Sequence, residues 1–349
     1  MRNTKHLSTG LVLTAVALTA LWLVAGCDDG PTEPKPVKDY AVYFNAWVSD
    51  QANWFFRYHP LTNAVDSFWL PYWLESVVSA DGKTLYVSHT QGGIAVLDTD
   101  SMMLLEVLQP YLFPIAVSPD NRLMAVYDPS DSGLSILNTS DYSLVFHDTT
   151  QPTPVGVFSA SSQRFYGAPN SGGVYVLDLS DSLFAVRQYS VPFGSVVDLA
   201  PSPDESKLYL YLMRPVPVSA FAVRDMVADS FIFYDTITWG WDCGELEPTP
   251  DGQYVFYTDP NTFDDAIRVY DVQKNQLYTT ISVVGVLEEP YLPGIPLREL
   301  VVTPDGRWLV ALPAWGKFAV TVDIRRMAVV KYARVRPTCL WGLTCQNAP

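Results

Sequence analysis

The chain has little of what enzymes most often use: 4 cysteines and 4 histidines in 349 residues. Basic residues are scarce too, 22 Lys and Arg against 37 Asp and Glu, which leaves a formal net charge of −15. That balance disfavours nucleic acid and bare anionic lipid surfaces as partners. So few cysteines exclude a disulfide scaffold. There is no His-Glu-x-x-His, Gly-x-Ser-x-Gly, Walker loop, dinucleotide fingerprint or Cys-x-x-Cys, which removes the common signatures of catalysis and cofactor binding. Only His59, His89 and His147 lie beyond residue 26, each in a different block of sequence. His89, on a loop, is read as a solvated residue.

Long apolar runs are missing as well, with one exception. After Arg2 and Lys5, residues Leu7 to Val24 are uncharged and rich in Leu, Ala and Val, the pattern of an export signal and not of a fold element. Its end, Val24-Ala25-Gly26-Cys27, resembles the lipobox of bacterial lipoproteins, which implies that residues 1–26 are removed and that Cys27 is lipidated. The alternative is a plain anchor helix with an incidental cysteine. Residues 27–38 continue as CDDGPTEPKPVK, too rich in proline and charge to pack, and are expected to act as a tether. The expected location is the cell envelope, with the choice of membrane open. Without Arg2 and Lys5 the formal charge becomes −17, and Cys243, Cys339 and Cys345 remain, an odd number.

In residues 39–349 a short tag recurs six times between apolar runs: SADG at Ser79, SPDN at Ser118, SASS at Ser159, SPDE at Ser202, and TPDG at Thr249 and Thr303. Spacings of 39, 41, 43, 47 and 54 residues mean a repeat architecture. Each tag is flanked by β-branched or aromatic runs, with two more runs completing the block, as in Leu85-Tyr86-Val87, then IAVLDT from Ile94, then Leu104 to Leu108. Four short strands per block make a propeller blade. The tag is the turn between the first two strands, with Pro setting φ at one corner and Gly tolerating positive φ at the next.

The first block lacks a tag. Tyr40–Phe44, Trp54–Tyr58 and Val65–Leu70 supply three strands, and Cys339–Thr344 is the segment left over to supply the fourth beside Tyr40–Phe44. This predicts an all-β, seven-bladed propeller closed by its C-terminal strand, with Cys339 and Cys345 about 20 Å apart in that strand and unable to form a disulfide with each other. The segments SADGKTLYVS with IAVLDT, and TPDGRWLVA with VTVDI, resemble the YVTN-type β-propeller repeat of bacterial and archaeal surface proteins. The resemblance implies the fold and, more often than catalysis, a binding role.

Two sets of residues are candidate sites. The loops opposite the tags carry Trp47, Trp73, Tyr111, Trp239, Trp241, Tyr291 and Trp315, with Phe193 and other aromatics beside them. Such side chains either present a binding face for a protein, peptide or glycan or fold inward to cover the blade tops. Four residues before the tag stand Glu75, Asp198, Glu245 and Glu299. On innermost strands these carboxylates would ring the channel mouth and attract a cation such as calcium, or accept hydrogen bonds from amides of the neighbouring blade. The loop 259–265 only faintly resembles a calcium loop, and residues 285–297, with three prolines, are read as a stiff flap. Asp98, Asn138, Asp178, Asp271 and Asp323 are expected to bond the hairpin that follows each of them.

The function these features favour is a lipid-anchored, extracytoplasmic, non-catalytic binding platform that needs no cofactor. The alternative is a divalent-cation-dependent hydrolase or lactonase with its site at the channel mouth.

Overall fold

Each apolar run pairs with the next, antiparallel, and the pairings close into seven sheets of four strands. The computed structural model describes residues 39–49, 52–70, 73–89, 93–108, 112–213, 218–238, 244–259, 266–283, 297–313, 318–334 and 339–345. For 45–49, 52–54, 69–70, 73–75, 89, 218, 238, 298, 313 and 339–345 only the backbone course is described. The export signal, Cys27 and the tether lie outside the described residues.

Blade 1 is Val42–Ser49, Ala52–His59 and Ala64–Leu70, completed by Cys339–Cys345. Blade 2 is Trp73–Val78, Thr84–His89, Ile94–Asp98 and Leu104–Leu108; blade 3 is Phe113–Val117, Leu123–Asp128, Gly133–Asn138 and Leu144–Asp148. Blade 4 is Val155–Phe158, Arg164–Ala168, Val174–Asp178 and Val186–Tyr189; blade 5 is Ser195–Pro201, Lys207–Met213, Val218–Asp225 and Ser230–Thr238. Blade 6 is Leu246–Pro248, Tyr254–Asp259, Ala266–Asp271 and Gln276–Ser282; blade 7 is Leu297–Val302, Trp308–Pro313, Phe318–Asp323 and Ala328–Arg334. The expected closure is present: Val42 lies opposite Cys345 and Trp47 opposite Cys339. The two cysteines therefore stand at opposite ends of one strand, and pairing removes a sheet edge that would otherwise be open.

The core lies between blades. Val42, Phe44 and Tyr58 of blade 1 pack on Val301, Val310 and Leu312 of blade 7, and six further apolar clusters fill the other junctions. Middle strands are consequently buried on both faces, as Ile94 to Leu97 and Leu208 to Leu212 are, which is why their sequences run continuously apolar instead of alternating.

All six tags adopt one turn. The fourth tag residue donates its N–H to the carbonyl of the first: Gly82 to Ser79, Asn121 to Ser118, Ser162 to Ser159, Glu205 to Ser202, Gly252 to Thr249 and Gly306 to Thr303, each at 2.8–2.9 Å. The first side chain accepts the N–H five residues on, as Ser79 Oγ does from Thr84 at 2.9 Å, while donating to Asp81 at 2.7 Å. Positive φ falls on the fourth residue, after both corners and not at the second, with values of 57° to 70° whether or not it is glycine. The Ser159 tag keeps the turn without Pro, Asp or Gly because Ser161 Oγ takes the place of the carboxylate, 2.9 Å from Ser159 Oγ.

Candidate functional site

The innermost strand of a blade has a free edge, so every second N–H along it faces the channel without a strand partner. The candidate carboxylates meet that need. Asp198 Oδ1 accepts the N–H of Leu199 and Oδ2 that of Leu246 on blade 6, both at 2.7 Å. Glu245 Oε2 accepts the N–H of Leu300 on blade 7 at 2.7 Å. Since Leu246 follows Glu245 and Leu300 follows Glu299, each carboxylate fastens to the amide just after the next blade's carboxylate. Bulges aim two of them. Register shifts between Val196 and Asp198 and between Leu297 and Glu299 insert one extra residue ahead of the acid and turn it inward.

Blades 5, 6 and 7 thus bring Asp198, Glu245 and Glu299 together. Burial, and then the charge of Glu299, push the Asp198 carboxyl up to about 7 even though two amides favour its ionised form. Burial raises Glu245 well above the usual carboxylate range, helped by the charges of Glu299 and Asp198. Glu245 also shares a side-chain hydrogen bond with Glu299. Two carboxyl groups can share a hydrogen bond only with a proton between them, so the proton belongs to the pair. Glu75 lies on the innermost strand of blade 2, with its side chain outside the described residues.

The sequence reading missed Glu247. Two residues after Glu245, it points the same way along an extended strand, and its Oε1 receives the N–H of Val302 at 3.4 Å. Burial pushes it up to about 8. Period-two alternation from Glu245 was the available signal.

As a calcium site the cluster fits poorly. Both Asp198 oxygens and one of Glu245 already face N–H donors, and burial disfavours the ionised form of both carboxyls, whereas calcium takes ionised and carbonyl oxygens. Among the described residues, no group of three or more His, Cys, Asp or Glu side chains is arranged to hold a metal ion.

Of the aromatic candidates, Trp47 and Trp73 sit on strands whose side chains there are not described. Tyr111, Trp239, Trp241, Tyr291 and Trp315 lie outside the described residues, as do loop 261–265 and most of the proline-rich flap. Phe193 is described: it is half-buried, edge-on to Tyr234 with ring centres 5.2 Å apart. It borders a cleft of about 640 Å³ over blade 4, formed by its loops and flanking links on the face opposite the tags. A second cleft of about 650 Å³ lies among the tags of blades 6 and 7.

The third-strand acids act as expected. Asp98 accepts the N–H of Ser101 at 2.8 Å, Asp178 that of Ser180 at 2.9 Å, Asp271 that of Lys274 at 2.9 Å, and Asp323 that of Arg326 at 3.2 Å. Asn138 differs, donating Nδ2–H to Ser143 Oγ at 2.7 Å, while Asp141 accepts the Ser143 amide. A hydrogen-bonded row of Ser135, His147 and Asp131 crosses blade 3, with His147 Nδ1 2.8 Å from Ser135 Oγ and Nε2 3.1 Å from Asp131. Ser135 is buried in a middle strand, and the row ties strand to loop. Arg268 bridges blades 5 and 6, bonding Asp235 and Asp259 at 2.7 Å each, with Tyr257 also donating to Asp235.

No family model and no curated protein matches the chain. Solved structures do. Hydrazine synthase of Kuenenia stuttgartiensis is 14% identical with a TM-score of 0.62, over 76% of this chain and 87% of that one. The Myceliophteria thermophila Cps50 (Swd1) β-propeller domain is 11% identical with a TM-score of 0.63, over 78% and 90%. Dihydro-heme d1 dehydrogenase NirN, in complex with DHE, is 17% identical with a TM-score of 0.56, over 89% and 77%. At such identities what this chain shares with them is the β-propeller fold.

Proposed function

We propose that this chain is a lipid-anchored, extracytoplasmic propeller that binds a protein, peptide or envelope polymer through the face opposite its tags, without catalysing a reaction. The observation that carries this reading is the cleft over blade 4, which lies on the face opposite the tags and is bordered by the rings of Tyr189 and Phe193. The lipobox-like Val24-Ala25-Gly26-Cys27 supports the anchor, and the resemblance of the repeats to surface-protein propellers supports the location. The channel carboxylates support it too, because they serve the ring by accepting its free amides.

The test uses immobilised full-length protein and envelope fragments. Wild-type protein retains a specific component, while Trp73→Ala with Trp241→Ala folds but loses it. Equal retention by both proteins counts against the reading. Cys27→Ser should release the protein from membranes.

One observation favours the rival cation-dependent hydrolase: Asp198, Glu245 and Glu299 converge at one channel mouth. Metal analysis of the purified protein and a melting curve with added calcium separate the two. Stoichiometric metal, or a clear rise in Tm, would favour the enzyme.

A further inference from the structure

The cleft over blade 4 has a chemistry of its own. One wall is the loop from Pro169 to Gly173, between the second and third strands of blade 4. The other is the link from Tyr189 to Gly194 that leads into blade 5. Two half-buried rings, Tyr189 and Phe193, border it. Both are held from outside: the Arg224 guanidinium lies 5.1 Å from the centre of the Tyr189 ring, and Tyr234 meets Phe193 edge-on. Arg224 is itself occupied, paired with Asp229 and donating to the Ser190 carbonyl at 3.2 Å. Its charge therefore stays behind the wall.

The polar groups facing the cleft are amides and hydroxyls. Gln188, Ser171 and Ser190 are exposed, and Gln151 accepts a hydrogen bond from Ser171 Oγ at 3.0 Å. Among the described residues lining the cleft, none carries a charge. The floor is kept low by Gly173, whose φ is +86° and where a Cβ would meet the Tyr189 carbonyl at 2.7 Å.

From this combination we infer that the cleft binds an uncharged saccharide chain, an inference that rests on the binding-platform reading and names its ligand. The C–H faces of a sugar ring pack on aromatic rings. A side-chain amide offers a donor and an acceptor side by side, which suits the neighbouring hydroxyls of a sugar. A charged ligand would enter a wall with nothing to compensate it. The space is in the range of small-ligand clefts, roughly 300–1,000 Å³. A peptide laid across a propeller draws on strand edges or apolar side-chain pockets, whereas here the hydrogen-bonding groups are side-chain amides and hydroxyls beside two rings.

The experiment titrates the full-length protein in detergent with maltotetraose, cellotetraose and the N-acetylglucosamine tetramer, with oligogalacturonate and a neutral octapeptide as controls. The expected result is binding of at least one neutral tetrasaccharide, weakened about tenfold or more, near 1.4 kcal/mol, by Gln188→Ala and by Phe193→Ala. Gln188 is exposed, so its removal leaves the fold intact even if Phe193→Ala does not fold. The inference is overturned if no neutral tetrasaccharide binds, if oligogalacturonate or the peptide is preferred, or if Gln188→Ala binds as the wild type does. Should envelope material be retained through Trp73 and Trp241 while no tetrasaccharide binds, the saccharide inference falls and the platform reading stands.

Discussion

Glu245 accepts the amide N–H of Leu300 at 2.7 Å across the junction of blades 6 and 7 while sharing a proton with Glu299, the residue just before Leu300. One side chain thereby serves a free backbone donor and meets a like group at close range. An amide side chain should do the first task without the second difficulty. Glu245→Gln is expected to match or exceed wild-type stability at pH 8. Glu245→Ala should fall below it by about 1–3 kcal/mol, since the Leu300 N–H loses its acceptor. Urea unfolding at pH 8 checks the order.

Stability should peak in mildly acid solution. Asp198 and Glu247 have folded-state pKa values of about 7 and about 8, above the unfolded values near 4. Their contribution is fully present below the unfolded pKa and is lost as pH rises through 7 to 8. Asp178 and Asp271 are shifted the other way, by hydrogen bonds from Ser180 and Lys274. Their contribution is present above the unfolded pKa and is lost as pH falls through their depressed values. The Tm should therefore be higher at about pH 5.5 than at either pH 9 or pH 2.5, and Asp198→Asn with Glu247→Gln should flatten the alkaline side. An unchanged alkaline slope in that double variant would contradict this.

Asn121 is expected to be improvable. Its φ is +59°, and its side-chain oxygen is buried without a hydrogen-bond partner. Glycine removes both penalties and costs some unfolded-state entropy. Asn121→Gly should stabilise by about 0.5–1 kcal/mol, measured by thermal unfolding. Gly252→Ala, at φ +69° and 3.3 Å from Pro203, should destabilise by a similar amount.

Arg268 holds two carboxylates on neighbouring blades, and the Asp259 side chain is 1% exposed. Arg268→Ala takes the guanidinium away from that buried carboxylate, and the expected loss is about 3 kcal/mol. Arg268→Lys keeps the charge but loses the two-pronged geometry, so its loss should be smaller yet clear. Chemical denaturation of the three proteins tests the ranking.

Much of this was legible in the sequence, for reasons that can be named. The six tags mark turns whose first residue and fourth N–H are fixed by hydrogen bonds, so they recur and can be aligned. Blade 1 lacked a tag because its innermost strand comes from Cys339–Cys345, and that absence disclosed the closure. The carboxylates stood at a constant offset from the tags. What could not be read is where single residues break the pattern. A bulge adds Val197 or Arg298 without altering the local composition, and it decides which side chain faces the channel. The positive φ at Ser162 and Glu205 was hidden because neither is glycine. Glu247 was overlooked because the other blades have apolar residues at its offset. The network of Arg268 with Asp235 and Asp259 joins residues up to 33 positions apart, and only the packing of two blades reveals it.

The most direct measurement of the central claim compares the two faces of the ring. Full-length protein with Trp73→Ala and Trp241→Ala, among the aromatic candidates, is set beside protein with Gln253→Ala and Arg325→Ala at the cleft among the tags, and envelope-fragment retention is measured for each. Loss of retention in the first and wild-type retention in the second is the predicted result. Loss in the second with retention in the first would contradict the account.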